Sequence, residues 1–162
     1  MNRERLEVQV VAALLEADST IATAESCTGG WIGKRLTDIP GSSAAFYGGV
    51  ISYTNAVKQR VLQVPEQILR QYGAVSEPVA AAMAEGVRTL MGTDFGLSTT
   101  GVAGPGSDEM GNPVGLVYIA LATACGTRCR KLRLTGDREQ VRRQAVECAL
   151  QLALSFLEES AE

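Results

Sequence analysis

The sequence predicts a three-layer α/β/α sandwich, a single domain over residues 1–162, and three observations carry that reading. Short apolar, β-leaning runs alternate with amphipathic helical periods along the whole chain. Helices stand before and after strand-like runs that read as a mostly buried sheet, which needs a helical layer on each face. At 162 residues, 46% of them hydrophobic, the chain is long enough to build a proper core.

The elements follow in order. Residues 5–16 form a helix whose apolar stripe runs through Leu6, Val10, Val11, Leu14 and Leu15. The first strand is expected over 20–24, a helix over 29–38, and the break at Pro40-Gly41 precedes a short helix capped by Ser42-Ser43. A second strand over 47–53 leads through Asn55, a good N-cap residue, into helical segments at 56–62 and 65–72. Ser76-Glu77-Pro78 starts a helix over 77–91, because proline is tolerated in a first turn. Strands three, four and five are expected at 94–100, 114–123 and 127–134, the last two joined by a turn at Gly126. Asp137 opens a final helix with Val141, Ala145, Cys148, Leu152 and Phe156 on one face. No internal repeats or long linkers interrupt this order.

Composition excludes several function classes. There is no histidine, and the four cysteines form no CxxC pair, so a structural metal is not expected. A net charge of −3 and a pI near 5.1 argue against a general nucleic-acid binder. Met1-Asn2-Arg3-Glu4-Arg5 leads into an alternately charged helix without a signal-peptide core, and no stretch is long enough to span a bilayer. A cytoplasmic protein with reduced thiols and no membrane partner is expected.

The chemistry centres on Thr23-Ala24-Glu25-Ser26-Cys27-Thr28-Gly29-Gly30, at an expected strand-to-helix turn. A serine at such a turn can expose its hydroxyl above a sheet edge. It can equally be a helix N-cap, with the glycines allowing close packing. Without histidine a Ser-His-Asp triad is impossible, so a base must come from Lys, Tyr or a carboxylate. The chain has three lysines, Lys34, Lys58 and Lys131. Lys58 stands apart because it falls in the first turn of a helix, where the dipole disfavours an ammonium and partial burial would lower its pKa further. Tyr53, at the end of the preceding strand, could join proton transfer. A solvated lysine and a sheet tyrosine are the plainer alternatives.

Two more segments could hold a ligand. Thr99-Thr100-Gly101-Val102-Ala103-Gly104-Pro105-Gly106 leaves strand three as a glycine-rich loop whose bare amides suit an anion, although a plain surface turn has the same composition. Arg138 and Arg142 share a helix face at i, i+4 spacing and could clamp a phosphate, while Glu139 and Arg143 pair as on an ordinary solvated face.

Together, Ala24-Glu25-Ser26-Cys27-Thr28-Gly29-Gly30, Gly41-Ser42-Ser43, Ser52-Tyr53-Thr54-Asn55-Ala56-Val57-Lys58, Gly73-Ala74-Val75-Ser76-Glu77-Pro78, Gly101-Val102-Ala103-Gly104-Pro105 and Gly136-Asp137-Arg138 resemble the CinA C-terminal domain family in content and order. The resemblance runs from about residue 22 to 154. Longer members carry an additional N-terminal domain that this sequence is expected to lack, and the loop over 107–112 carries nothing across.

The resemblance implies a mixed, mostly parallel five-stranded sheet with one antiparallel strand, which suits the short connections between strands three, four and five. It also implies a Ser-Lys amidohydrolase that converts nicotinamide mononucleotide to nicotinate mononucleotide and ammonia, without metal or organic cofactor. It places the nucleophile at Ser26, the base at Lys58 and an assisting role at Tyr53. Substrate binding is expected from Thr28, Gly29, Gly30, Thr100, Gly101, Ala103, Gly104, Arg138 and Arg142, with Arg142 first for the 5′-phosphate. The expected partner is a small pyridine nucleotide rather than nucleic acid, and the expected assembly a homo-oligomer, dimer or higher. Two alternatives stand beside it: a cysteine amidase using Cys27, and a non-catalytic nucleotide-binding module linked to competence or DNA damage.

Overall fold

The structure is a computed structural model that describes residues 4–162; Met1, Asn2 and Arg3, which open the expected charged N-terminus, lie outside the described residues. The chain runs α1 (Leu6–Glu16), β1 (Ile21–Glu25), α2 (Trp31–Thr37), a 3₁₀ turn (Ser42–Ala44), β2 (Phe46–Ile51), α3 (Asn55–Leu62), α4 (Glu66–Tyr72), α5 (Glu77–Met91), β3 (Phe95–Gly101), β4 (Leu116–Thr123), β5 (Gly126–Arg133) and α6 (Arg138–Ser160). One five-stranded sheet has the order β2-β1-β3-β4-β5. β1 pairs in parallel with both β2 and β3, whereas β4 runs antiparallel to β3 and to β5. The mixed sheet with one reversed strand is therefore present as expected.

Two apolar layers cover the sheet. On one face Val10, Leu14, Ile32, Leu36, Val141, Ala145 and Leu150, from α1, α2 and α6, pack with Ile21, Leu97 and Ile119 in the main core. On the other, Val79, Met83 and Val87 of α5 and Leu62 of α3 pack against Ala22 and Ala24 of β1. The interior strand β1 is buried at all five positions, while edge strand β2 alternates between half-buried and exposed. That contrast is what a central and an edge position demand.

Two sequence expectations shift. Leu15 is 45% exposed, because a stripe centred on Val10, Val11 and Leu14 leaves it on the flank of α1. Glu7 is buried in its place and pairs with Arg35 of α2, which also meets Glu147 of α6, so three helices are tied by one guanidinium. Ser42 and Ser43 lie inside the 3₁₀ turn, whose N-cap is Gly41 at φ 85°.

α3 is placed closely against α5. A Cβ on Gly86 would sit 2.1 Å from the Leu62 carbonyl oxygen, so only glycine admits that approach. The same approach brings Lys58 over the end of β1. Asp137 caps α6 through a capping box with Gln140, fixing where Arg138 and Arg142 project.

Candidate active site

Ser26 follows the last residue of β1, with β2 on one side of that strand and β3 on the other. The crevice beyond the carboxyl ends of strands at such a reversal is where open α/β sheets bind ligands.

The Ser26 turn is held on several sides. Ser26 N–H donates to Thr99 O at 3.0 Å, and Gly29 N–H closes the turn on Ser26 O at 3.2 Å. Gly29 and Gly30 adopt φ of 59° and 99°, a region that side chains resist. Glu25 caps the start of α2: Ile32 N–H and Gly33 N–H donate to its two carboxylate oxygens at 2.9 and 3.1 Å, and the Thr28 hydroxyl donates at 2.6 Å. With its proton on Glu25, Thr28 Oγ1 accepts from the Thr99 hydroxyl at 2.7 Å. Glu25 escaped the sequence reading, since nothing in its spacing distinguishes a capping carboxylate from a strand-end residue.

Lys58 reaches the same point from the opposite layer. The N-cap of α3 is Thr54, whose hydroxyl accepts from Val57 N–H at 3.3 Å, so the cap lies one residue before the expected Asn55 and the helix begins at Asn55 itself. Lys58 is 1% exposed. Its Nζ donates to Ser26 Oγ at 2.9 Å, to Ser52 O at 2.8 Å and to Tyr53 O at 3.4 Å. It belongs to none of the ion pairs among the described residues. Burial therefore dominates and pulls its pKa down from 10.5 to about 8, against a small opposing influence of Cys27. A neutral amine has two N–H bonds and one lone pair. With the two carbonyls taking the N–H bonds, the lone pair faces Ser26 Oγ, the geometry of a serine nucleophile with a lysine base.

Cys27 is in the opposite situation. Burial, reinforced by the Glu25 carboxylate, pushes its thiol up to about 12, so it carries almost no thiolate at neutral pH. Among the described residues no cluster of three or more His, Cys, Asp or Glu could hold a metal ion, and no helix is long and apolar enough to cross a membrane.

A cleft of about 440 Å³ opens over the pair and is lined by Ser26, Tyr53, Lys58, Thr100, Gly101, Ala103 and Arg138 among the expected residues. A larger apolar depression of about 590 Å³, between Val61, Ile68, Pro78 and Leu90, holds one ionisable group, Glu85, and no nucleophile with a base beside it.

The family model of the CinA C-terminal domain matches residues 3–157. The chain belongs to the CinA C-terminal domain family. It is similar to CinA-like proteins from Frankia casuarinae, at 49% identity over 154 residues, and Dictyoglomus turgidum, at 51% over 137. Those matches cover 95% and 85% of this chain but 35% and 33% of the relatives, so the chain spans about a third of their length. Among solved structures it is similar to a CinA superfamily protein from Klebsiella pneumoniae 700603, with TM-score 0.93 and 34% identity over 95% of this chain and 96% of that one. The competence/damage inducible protein CihA from Agrobacterium tumefaciens gives TM-score 0.89 and 35% identity, over 94% and 93% of the two chains.

Within this CinA domain the remaining expected residues divide. Thr28, Gly29, Gly30, Gly104 and Arg142 do not line the cleft. The first amides of α2 at Ile32 and Gly33 already meet Glu25, which corrects the expectation of an open anion site there. Arg142 Nε donates to Cys27 O at 2.9 Å and Nη2 to Thr28 O at 3.3 Å, with the guanidinium 5.5 Å from the Trp31 ring centroid. It faces the back of the Ser26 turn and not the cleft. Arg138 lies at the mouth, donating to Gly104 O at 2.6 Å and to the Tyr53 hydroxyl at 3.3 Å. The Tyr53 side chain is thus turned to Arg138, and only its carbonyl contacts Lys58. The loop expected to carry nothing contributes Ser107, Asp108 and Glu109 to the cleft wall. Asp108 stiffens it by accepting from Met110 N–H, Asn112 N–H and Asn112 Nδ2.

Proposed function

We propose that this CinA domain is a Ser-Lys amidohydrolase that converts nicotinamide mononucleotide to nicotinate mononucleotide and ammonia. The observation that carries the reading is the 2.9 Å contact between Ser26 Oγ and a buried Lys58 whose pKa has fallen to about 8. Neutral Lys58 takes the hydroxyl proton as Ser26 Oγ bonds to the carboxamide carbon. The resulting oxyanion is held by backbone N–H groups, each worth roughly 3 kcal/mol in such sites. The carbon–nitrogen bond then breaks, and the Lys58 ammonium returns the proton to the departing ammonia. Water attacks the acyl-serine, Lys58 takes its proton, and carboxylate and free Ser26 are released once that proton passes back to Oγ. No step calls for a metal or organic cofactor.

Arg138 is the cation best placed to meet the substrate's 5′-phosphate, since it lines the cleft while Arg142 does not. The cleft volume is of the size that small-molecule sites usually have, about 300–1,000 Å³. We further propose that the protein works as a homo-oligomer in the cytoplasm. The deciding experiment incubates purified protein with nicotinamide mononucleotide and measures ammonia together with nicotinate mononucleotide. Stoichiometric release that disappears in Ser26→Ala is expected. Wild-type protein that binds the nucleotide without releasing ammonia would replace this reading with that of a binding module.

A further inference from the structure

Arg142 is a half-buried guanidinium that the proposed chemistry leaves unused, and its contacts are specific. Both donors end on main-chain carbonyls of the nucleophile turn, Cys27 O and Thr28 O. A trans peptide fixes C=O and N–H antiparallel in one plane. Ser26 O accepts from Gly29 N–H, so the Cys27 N–H of the same peptide points the other way, and Arg142 on Cys27 O holds the peptide that follows. The two functional groups approach the turn from opposite layers: Arg142 comes from α6, on the α1/α2/α6 face, and Lys58 from α3, on the α5 face. Cys27 lines the cleft with Ser26 and Lys58, whereas Thr28 is fully buried and lies outside it. The Cys27 amide N–H meets no acceptor on another residue among those described, nor do those of Thr28 and Gly30 outside the cleft, whereas Ser26, Gly29, Trp31, Ile32 and Gly33 all do.

We infer that Arg142 is a positioning residue for the oxyanion hole: by clamping the Cys27 and Thr28 carbonyls, it holds the turn so that the Cys27 N–H faces the oxygen that becomes negative when Ser26 attacks. The inference rests on Ser26 and Lys58 being the reacting pair. It assigns Arg142 a task different from phosphate binding, and the two are separable. A phosphate anchor discriminates nucleotide from riboside, while a clamp behind the turn affects every acyl or phosphonyl transfer to Ser26 equally.

The test uses Arg142→Met, which keeps an apolar stem against Trp31 and removes the donors. Ser26 is labelled with a fluorophosphonate, whose addition also develops an oxyanion, and the site is read by mass spectrometry. Labelling and kcat are expected to fall about 10²-fold, the scale of a lost or misaimed oxyanion donor. KM for the nucleotide, the nucleotide-to-riboside ratio of kcat/KM and the Lys58 pH limb should stay in place. If Arg142→Met does not fold, Arg142→Gln carries the same two outcomes. Labelling within threefold of wild type, or a loss confined to the nucleotide, overturns the inference while leaving the Ser-Lys reading intact. Wild-type protein with no label on Ser26 overturns both.

Discussion

Lys58 and Ser26 meet at 2.9 Å across 32 residues of chain, and what surrounds the lysine matters as much as the contact. A buried ammonium in an ion pair would be a structural cation with a raised pKa. Lys58 instead has two carbonyl acceptors and a hydroxyl. Desolvation is left to govern its titration, and the amine becomes basic in the range where catalysis runs.

The nucleophile is separable from its neighbour. Ser26→Ala should lose more than 10³-fold in kcat with the fold intact, whereas Cys27→Ala should stay within about tenfold of wild type, since a thiol near pKa 12 contributes no nucleophile. Deamidation assays on both variants decide it. Activity retained in Ser26→Ala and lost in Cys27→Ala would transfer the role to the cysteine.

The pH–rate profile should report Lys58. Only the neutral amine can accept the Ser26 proton, so kcat/KM should climb with pH and level off above an apparent pKa near 8, well below the free lysine value. Lys58→Arg should be inactive, because a guanidinium stays protonated throughout. A flat profile from pH 6 to 9 in active wild type would remove lysine from the rate-limiting chemistry.

The same titration has a stability consequence. The folded pKa of about 8 lies below the unfolded value of 10.5, so between them the unfolded chain binds more protons. Wild-type stability therefore gains from this group as pH rises through that window, up to a ceiling of about 3 kcal/mol, and lacks that gain at neutral pH. Lys58→Met should not show the gain. Urea titrations of both proteins at pH 7 and pH 10 give the check: the stability difference, mutant minus wild type, should be more favourable to the mutant at pH 7. Parallel curves for the two proteins would mean that Lys58 titrates normally.

Much of this was legible in the sequence because it depends on composition and period. The lack of histidine pointed to Lys58 as the candidate base, and apolar runs located four strands while a basic, strand-like run located the fifth. Side-chain direction was not legible. Arg138 and Arg142 share a helix face by spacing, yet Arg138 lines the cleft while Arg142 lies behind the Ser26 turn. Tyr53 lies beyond the strand, which stops at Ile51, and its phenol ends on Arg138. Glu25 sits where alternation alone cannot tell a buried strand residue from a cap.

That carboxylate yields a stability prediction independent of catalysis. Glu25→Ala strands the Ile32 and Gly33 amides, the first in a fully buried residue, and leaves the Thr28 hydroxyl only Thr99 Oγ1 as a partner. Each unmet buried group costs about 1–3 kcal/mol, so a loss of about 3 kcal/mol and a Tm lower by about 10 °C are expected by thermal denaturation. A Tm within 2 °C of wild type would show that water replaces the cap.

The substrate's phosphate should be recognised at Arg138. The protein is acidic overall, so a dianionic group needs a local cation, and Arg138 is the guanidinium on the cleft wall, which also carries Asp108 and Glu109. Those carboxylates would repel a bare phosphate, which makes the arginine's contribution larger than at a neutral rim. Energy from this remote contact orients the carboxamide over Ser26, so its loss should depress kcat as well as raise KM. Arg138→Ala should lose about 10²-fold in kcat/KM for the nucleotide and change little for nicotinamide riboside, already a poor substrate. Steady-state kinetics on both compounds with both proteins measure this directly. Equal kcat/KM for nucleotide and riboside in the wild type would refute phosphate anchoring, and an equal loss on both in Arg138→Ala would reassign the arginine to supporting the Tyr53 and Gly104 edge of the cleft.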